Sequence, residues 1–186
     1  MNTSKTIIGI DPGFTGGLAL ISIAPYRKSD LLHCNKMPLK NSYIKVKNEA
    51  RLEIDANVLN TLLRIYLTYK PSFAVIEEVS ASPQMGVVSA FRFGEGLGLV
   101  KGLCVANNIP IKLVRPGVWK SAMSLNSNKQ TSLNRASTLW KSHNFLWKLK
   151  KNDGLAEAAL LAEYGKRMAA NEGEVTLKNT TLEDIL

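Results

Sequence analysis

The stretch Ile7-Ile-Gly-Ile-Asp11-Pro-Gly-Phe-Thr-Gly-Gly-Leu-Ala-Leu-Ile-Ser22 decides the reading of this chain. Ile7, Ile8 and Ile10 are β-branched and apolar, as a buried central strand requires. Pro12-Gly13 stops that strand, Gly16-Gly17 allow a tight reversal, and Leu18 to Ile23 opens a second apolar strand. The first strand thus ends on a carboxylate, Asp11. Two readings are open at this point. Asp11 is a turn residue capping the Pro-Gly bend, or it is a charge held out of water by a partner such as a metal ion or an arginine, because an unpaired buried carboxylate is costly.

Outward from this hairpin, strand 1 is expected over Thr6–Asp11, strand 2 over Gly17–Ala24 and strand 3 over Leu31–Pro38, with a polar turn at Tyr26–Asp30. Residues Leu39–Ile54 are polar and basic and read as a loop. Asp55 can cap a helix to about Tyr69, with Val58, Leu59, Leu62, Leu63, Tyr66 and Leu67 at helical spacing. Phe73–Glu78 repeats the pattern of an apolar strand closing on carboxylates. A loop at Ser80–Gly86, a long helix from Val87 to about Asn107 and a short strand at Pro110–Val114 follow. Helices are then expected over Val118–Ser124, Lys129–His143 and Asp153–Ala170. Three strands, a helix, a strand, a helix, a strand and further helices make an α/β arrangement: a mixed sheet with helices on its faces.

The chain has 186 residues, which suits one domain, here residues 1–170 followed by an acidic tail, 171–186, expected to be mobile. No stretch is apolar enough for a membrane span, and the first residues lack the apolar run of an export signal. Cys34 and Cys104 are read as reduced thiols of a cytoplasmic protein. Net charge is +9, distributed unevenly. The tail carries −3 and residues 1–170 carry +12. Between Glu95 and Asp153 there is no acid, while Lys101, Lys112, Arg115, Lys120, Lys129, Arg135, Lys141, Lys148, Lys150 and Lys151 all fall there. Such a field points to a polyanion, above all nucleic acid.

The acids at element ends complete the pattern. Asp11 closes strand 1 and Glu77-Glu78 close the fourth strand. Asp153 and Glu157 open the last helix, one turn apart on one face. If strands 1 and 4 are neighbours, four carboxylates converge. Oxygen donors of this kind suit Mg²⁺ or Mn²⁺, and two such ions close together are a device for phosphodiester hydrolysis. Singly, Asp153 could be a helix cap and Glu157 could pair with Lys150 or Lys151. Strand parity does not choose between Glu77 and Glu78, because the strand is apolar on both faces. His33 and His143 stand alone and suggest no catalytic role. Trp119, Trp140, Trp147, Phe91 and Phe93 read as core rather than as base-stacking platforms.

These residues resemble the RuvC-type Holliday-junction resolvases of the ribonuclease H-like superfamily, and most of all their phage and chloroplast-type branch. The resemblance rests on Ile-Gly-Ile-Asp11-Pro-Gly, Ala-Val-Ile-Glu77-Glu-Val and Asp153-Gly-Leu-Ala-Glu157-Ala-Ala-Leu-Leu-Ala. Met85-Gly-Val-Val-Ser-Ala-Phe-Arg-Phe-Gly94 and Pro116-Gly-Val-Trp-Lys120 look like signatures of that branch. It implies a ribonuclease H-like fold: a five-stranded mixed sheet, an antiparallel three-strand meander followed by parallel strands. It implies that Asp11, Glu77, Asp153 and Glu157 hold two Mg²⁺ (or Mn²⁺) ions, so that Glu77 is chosen over Glu78. It places Lys120 and Lys129 near the cleaved phosphate, Lys120 within the catalytic set, and Arg92, Arg115 and Arg135 are expected as further DNA contacts. It also implies a homodimer acting on four-way DNA junctions, with no membrane and no nucleotide cofactor, in a bacterial cell or a phage-infected host.

Three departures from the family pattern stand out. The last acid is Glu157 where many relatives carry Asp. The two helix acids are four apart, where the bacterial pattern has three. Residue 80 is Ser where the bacterial enzymes carry an aromatic, so a sequence preference does not carry over; Phe91 and Phe93 are the aromatic candidates nearby. The expected activity is paired, symmetric nicking of a junction with water as nucleophile and no covalent intermediate. The alternatives are a broader branched-DNA or flap endonuclease, a non-catalytic DNA-binding module, and a phosphate loop of the actin-like kinases, for which the chain lacks a second domain.

Overall fold

The computed structural model describes residues 5–23, 30–46, 49–78, 80 and 84–179. Its central sheet has five strands in the order β3-β2-β1-β6-β7. These are β1 (Thr6–Asp11), β2 (Gly17–Ser22), β3 (Leu31–Lys36), β6 (Pro71–Glu77) and β7 (Ile111–Val114). β1, β2 and β3 form the expected antiparallel meander, and β6 and β7 run parallel to β1. The expected turn at Tyr26–Asp30 lies, apart from Asp30, outside the described residues, as does part of the loop at Ser80–Gly86.

The apolar strands do not alternate because both faces of the sheet are covered. On one face, Ile8, Ile10, Leu18, Leu20, Ala74 and Ile76 pack with Leu59, Leu63 and Tyr66 of α1 (Ala56–Leu67) and Val100 and Cys104 of α2 (Val87–Ala106). On the other, Ile7, Ala19, Ile21, Phe73 and Val75 pack under α5 (Asp153–Asn179) and beside α3 (Pro116–Ala122) and α4 (Lys129–Leu139). Asp55 caps α1, accepting from the amides of Asn57 and Val58 at 3.0 and 3.1 Å. α3 starts two residues earlier than expected because Pro116 occupies its first turn, where no amide is needed.

Two expectations are corrected. Leu39–Ile54 is not a loop but a separate two-stranded ribbon, β4 (Leu39–Val46) and β5 (Glu49–Ile54). Its sequence lacks a clean apolar alternation; among the described side chains Ile54 is buried, Leu52 is exposed and Lys40 pairs across the strands with Glu53 at 3.4 Å. The helix expected over Lys129–His143 stops at Leu139, where Trp140 turns inward. Its indole donates to Asp30 at 2.6 Å, and short 3₁₀ segments at Lys141–Leu146 and Lys150–Asn152 lead on to α5. α5 itself continues to Asn179, into the segment expected to be a tail; residues 180–186 lie outside the described residues.

α5 lies unusually close to the sheet. Ala158, Ala159 and Ala162 are fully buried against it. At Gly9 of β1 an added methyl would overlap the carbonyl of Ala158 and the amide of Ala162, backbone atoms that cannot swing aside. Gly9→Ala should therefore cost about 3 kcal/mol or more in a urea titration. Gly102→Ala on α2, where a methyl would meet nothing within 4 Å, should instead stabilise by roughly 0.5–1 kcal/mol.

Candidate active site

The site forms where β1 and β6 end. Their parallel register pairs Ile10 with Ile76, so Asp11 and Glu77 follow as neighbours at the same sheet edge. Asp11 continues the parity of Ile7 and Gly9, and Glu77 that of Phe73 and Val75, so both belong to the α5 side of the sheet. The first turn of α5 meets them there. An added methyl at Gly154 would overlap the Thr15 carbonyl and crowd Gly16, so only glycine lets the helix start against the β1–β2 turn. Asp153 and Glu157, both buried, are carried in on either side of that contact.

The turn reading of Asp11 holds, and the carboxyl is also held among other acids. Its Oδ1 accepts from the Gly13 amide at 3.0 Å, the turn bond of an Asp-Pro-Gly bend. That bond is outweighed by burial and then by the charges of Glu77, Glu157 and Asp153, which push the Asp11 carboxyl up to about 7. Glu77 is also raised, by burial first and by Glu157, against the opposing effects of the Trp119 hydrogen bond and Lys120. Glu78 is outside this group: it lies past the end of β6 and faces Arg115 at 3.5 Å.

Cations and donors on α3 and α4 hold the carboxylates. Trp119 Nε1 donates to Glu77 Oε1 at 2.9 Å. Lys120 Nζ lies 2.8 Å from Glu157 Oε1, and Ser132 Oγ donates to the same oxygen at 2.9 Å. Lys129 Nζ lies 2.5 Å from Asp153 Oδ2, which raises the lysine pKa. Lys129 is largely exposed and Lys120 mostly covered. Trp119 and Ser132 were not legible as site residues in the sequence. Trp119 had one signal, its place beside Lys120 in the Pro116-Gly-Val-Trp-Lys120 motif; Ser132 had only its position one helical turn beyond Lys129.

Among the described residues, no three His, Cys, Asp or Glu side chains stand in the geometry of a preformed metal cluster. The donor set nevertheless fits a hard divalent cation. All donors are carboxylate oxygens, each contact above engages one oxygen of its carboxylate, and the charges of Glu77, Glu157 and Asp153 disfavour a negative Asp11. The lysines supply the compensating charge on the α5 acids.

The remaining expected residues are more scattered. Arg92 lies over the Phe14 ring at 4.6 Å and donates to the Leu52 carbonyl, beside a cleft of about 250 Å³ formed by residues 12–15 and the start of α2. Arg115 is exposed against Glu78. Arg135 is only partly exposed, and its Nε is buried without a hydrogen-bond partner. Trp119, Trp140 and Trp147 are core, as expected. Phe91 and Phe93 are not: they are 73% and 42% exposed on the open side of α2, which buries only Gly96, Val100 and Cys104.

No protein-family model matches the chain. A structure described as Thermus thermophilus RuvC superposes with a TM-score of 0.56 at 17% identity, covering 88% of this chain and 96% of the other. T. thermophilus RuvC in complex with Holliday junction substrate gives 0.54 at the same identity and coverage. The fold, a five-stranded mixed sheet flanked by helices, is shared with those structures. In sequence, the chain is 29% identical over 124 residues to crossover junction endodeoxyribonuclease RuvC of Nitratidesulfovibrio vulgaris strain DP4, covering 66% of this chain and 69% of the relative. The same protein of strain Hildenborough matches equally. Sequence and fold point the same way: the chain is similar to RuvC in both.

The raised Asp11 pKa has a measurable consequence. Between about pH 4 and pH 7 the folded protein holds a proton that the unfolded chain has released, so folding stability without metal falls as pH rises through that window. Asp11→Asn should raise the melting temperature at pH 8, by an amount corresponding to roughly 2–4 kcal/mol, and leave it nearly unchanged at pH 4. Mg²⁺ should raise the pH 8 melting temperature of the unaltered chain but not that of Asp11→Asn.

Proposed function

We propose that this chain is a crossover junction endodeoxyribonuclease, a metal-dependent enzyme that resolves four-way DNA junctions by paired, symmetric nicks. The observation that carries the reading is the convergence of Asp11, Glu77, Asp153 and Glu157 at one end of a RuvC-type sheet, with Lys120 and Lys129 against two of them.

Two Mg²⁺ or Mn²⁺ ions held by these four carboxylates would supply water activation and stabilisation of the leaving oxygen. The chain's own residues do the rest. Trp119 and Ser132 hold Glu77 and Glu157 in fixed orientations through hydrogen bonds to one oxygen each. Lys120, partly covered at the base of the site, takes a non-bridging oxygen of the scissile phosphate when it leaves Glu157. Lys129 has most of its side chain in solvent and reaches the same phosphate or its neighbour. Burial of Glu77, Asp153 and Glu157 limits the access of bulk water to the reacting atoms.

The acid-free basic stretch 96–152 binds the DNA arms, with Arg92, Arg115 and Arg135 as further contacts, so affinity should fall steeply with salt. Two copies acting as a homodimer place two such sites on opposed strands. The work is placed in the cytoplasm of a bacterial cell or a phage-infected host. Among the described residues, no helix is long and apolar enough to cross a membrane.

The test is cleavage of an end-labelled four-way junction beside a linear duplex and a flap of matched sequence, with and without Mg²⁺. Paired nicks on the junction alone are expected, and Asp11→Asn and Glu77→Gln should each lower the rate at least about 100-fold while leaving junction binding intact. Equal cutting of the flap would widen the substrate to branched DNA in general. Full activity in Asp11→Asn would remove the carboxylate site from the mechanism.

A further inference from the structure

The segment between α4 and α5, residues 140–152, enters the reading above only through its charge, as part of the basic stretch 96–152. It is firmly built from below. Trp140 and Trp147 are buried, with their rings edge to face at 6.0 Å. Trp147 Nε1 donates to Ser137 Oγ at 3.1 Å, and Asn152 Nδ2 donates to the Leu146 carbonyl at 2.8 Å. The amides of His143 and Trp147 bond back to the carbonyls of Trp140 and Asn144.

Its outer side has a different character. Phe145 is 65% exposed and Leu149 is 55% exposed. The Phe145 ring is stacked with that of His143 at 6.4 Å and 28°. Lys141, Lys148, Lys150 and Lys151 are all exposed in the same segment, which holds no acid. Single exposed apolar residues are ordinary. An exposed Phe and an exposed Leu on a segment pinned by two tryptophans, with four exposed lysines in the same thirteen residues and leading directly into Asp153, suit a partner that is both aromatic and anionic.

We propose that this segment is a second DNA contact, in which an unpaired nucleobase stacks on Phe145 while Lys141, Lys148, Lys150 and Lys151 hold the flanking phosphates. The chemistry matches single-stranded nucleic acid: an aromatic face that accepts any base, within a cationic field that follows the backbone. Flaps carry unpaired bases where their arms meet, and opening a four-way junction exposes bases at its centre; this segment leads directly into the helix that carries Asp153 and Glu157. The inference rests on DNA being the partner, but not on junction cleavage.

The experiment measures binding of the full chain in EDTA to fluorescent oligo(dT) and to a blunt duplex, by anisotropy over a salt series. Phe145→Ala should weaken oligo(dT) binding about tenfold or more and duplex binding less than about twofold, and Phe145→Trp should keep oligo(dT) affinity. The ring is mostly in solvent, so these variants should melt with the unaltered chain. Changing Lys148, Lys150 and Lys151 together to Gln should lower the salt slope on oligo(dT) by about 2. Equal oligo(dT) binding by Phe145→Ala and the unaltered chain would overturn the stacking contact and leave the nuclease reading untouched. Absence of any DNA binding by the unaltered chain would overturn both. Loss of binding to phosphatidylserine vesicles in Phe145→Ala, with oligo(dT) binding unchanged, would make the segment a membrane contact and overturn the proposal.

Discussion

Everything in the site depends on how closely α5 approaches β1. Gly9 and the run of alanines on α5 remove the side chains that would hold helix and sheet at ordinary distance. Gly154 does the same for the first turn of the helix against the β1–β2 hairpin. Larger residues at these places would fill the gap with apolar contacts but would move Asp153 and Glu157 away from Asp11 and Glu77. The tight packing is thus both the core of one face of the protein and the means by which acids distant in sequence share one space.

That closeness is electrostatically expensive. Buried carboxylates that face one another disfavour their own ionised forms, as the raised pKa of Asp11 and Glu77 shows. The protein offsets this with Lys120 on Glu157, Lys129 on Asp153 and neutral donors from Trp119 and Ser132. The arrangement is poised for added positive charge and is less stable without it, a common condition for functional sites.

The basic residues divide by environment. Lys120 and Lys129 touch the acids, Arg115 is turned toward Glu78 and Arg92 lies over Phe14. The lysines between Leu139 and Asp153 are exposed, in the same segment as exposed Phe145 and Leu149. The basic residues from Arg92 to Lys151 therefore fall on the site, on its rim, and on a segment anchored by tryptophans.

Much of this was legible in the residues themselves. Uninterrupted apolar strands ending on Asp11 and Glu77, an Asp–Glu pair at helical spacing, and a long acid-free basic stretch predict a mixed sheet with a carboxylate site for a polyanion. These signals are local, because strand burial, turn chemistry and helix periodicity are properties of short segments. The β4–β5 ribbon was not legible, since its polar and basic sequence carries no apolar alternation. Nor was the exposure of Phe91 and Phe93, which turns on which side of α2 meets the sheet. Strand parity does not separate Glu77 from Glu78, because the strand is apolar on both faces; the resemblance picks Glu77, and the tertiary structure supplies the physical reason, the side on which α5, Trp119 and Lys120 lie. Ser132 joins the site for the same reason. Its partner is 25 residues away on another helix, and only packing brings the two within hydrogen-bond reach.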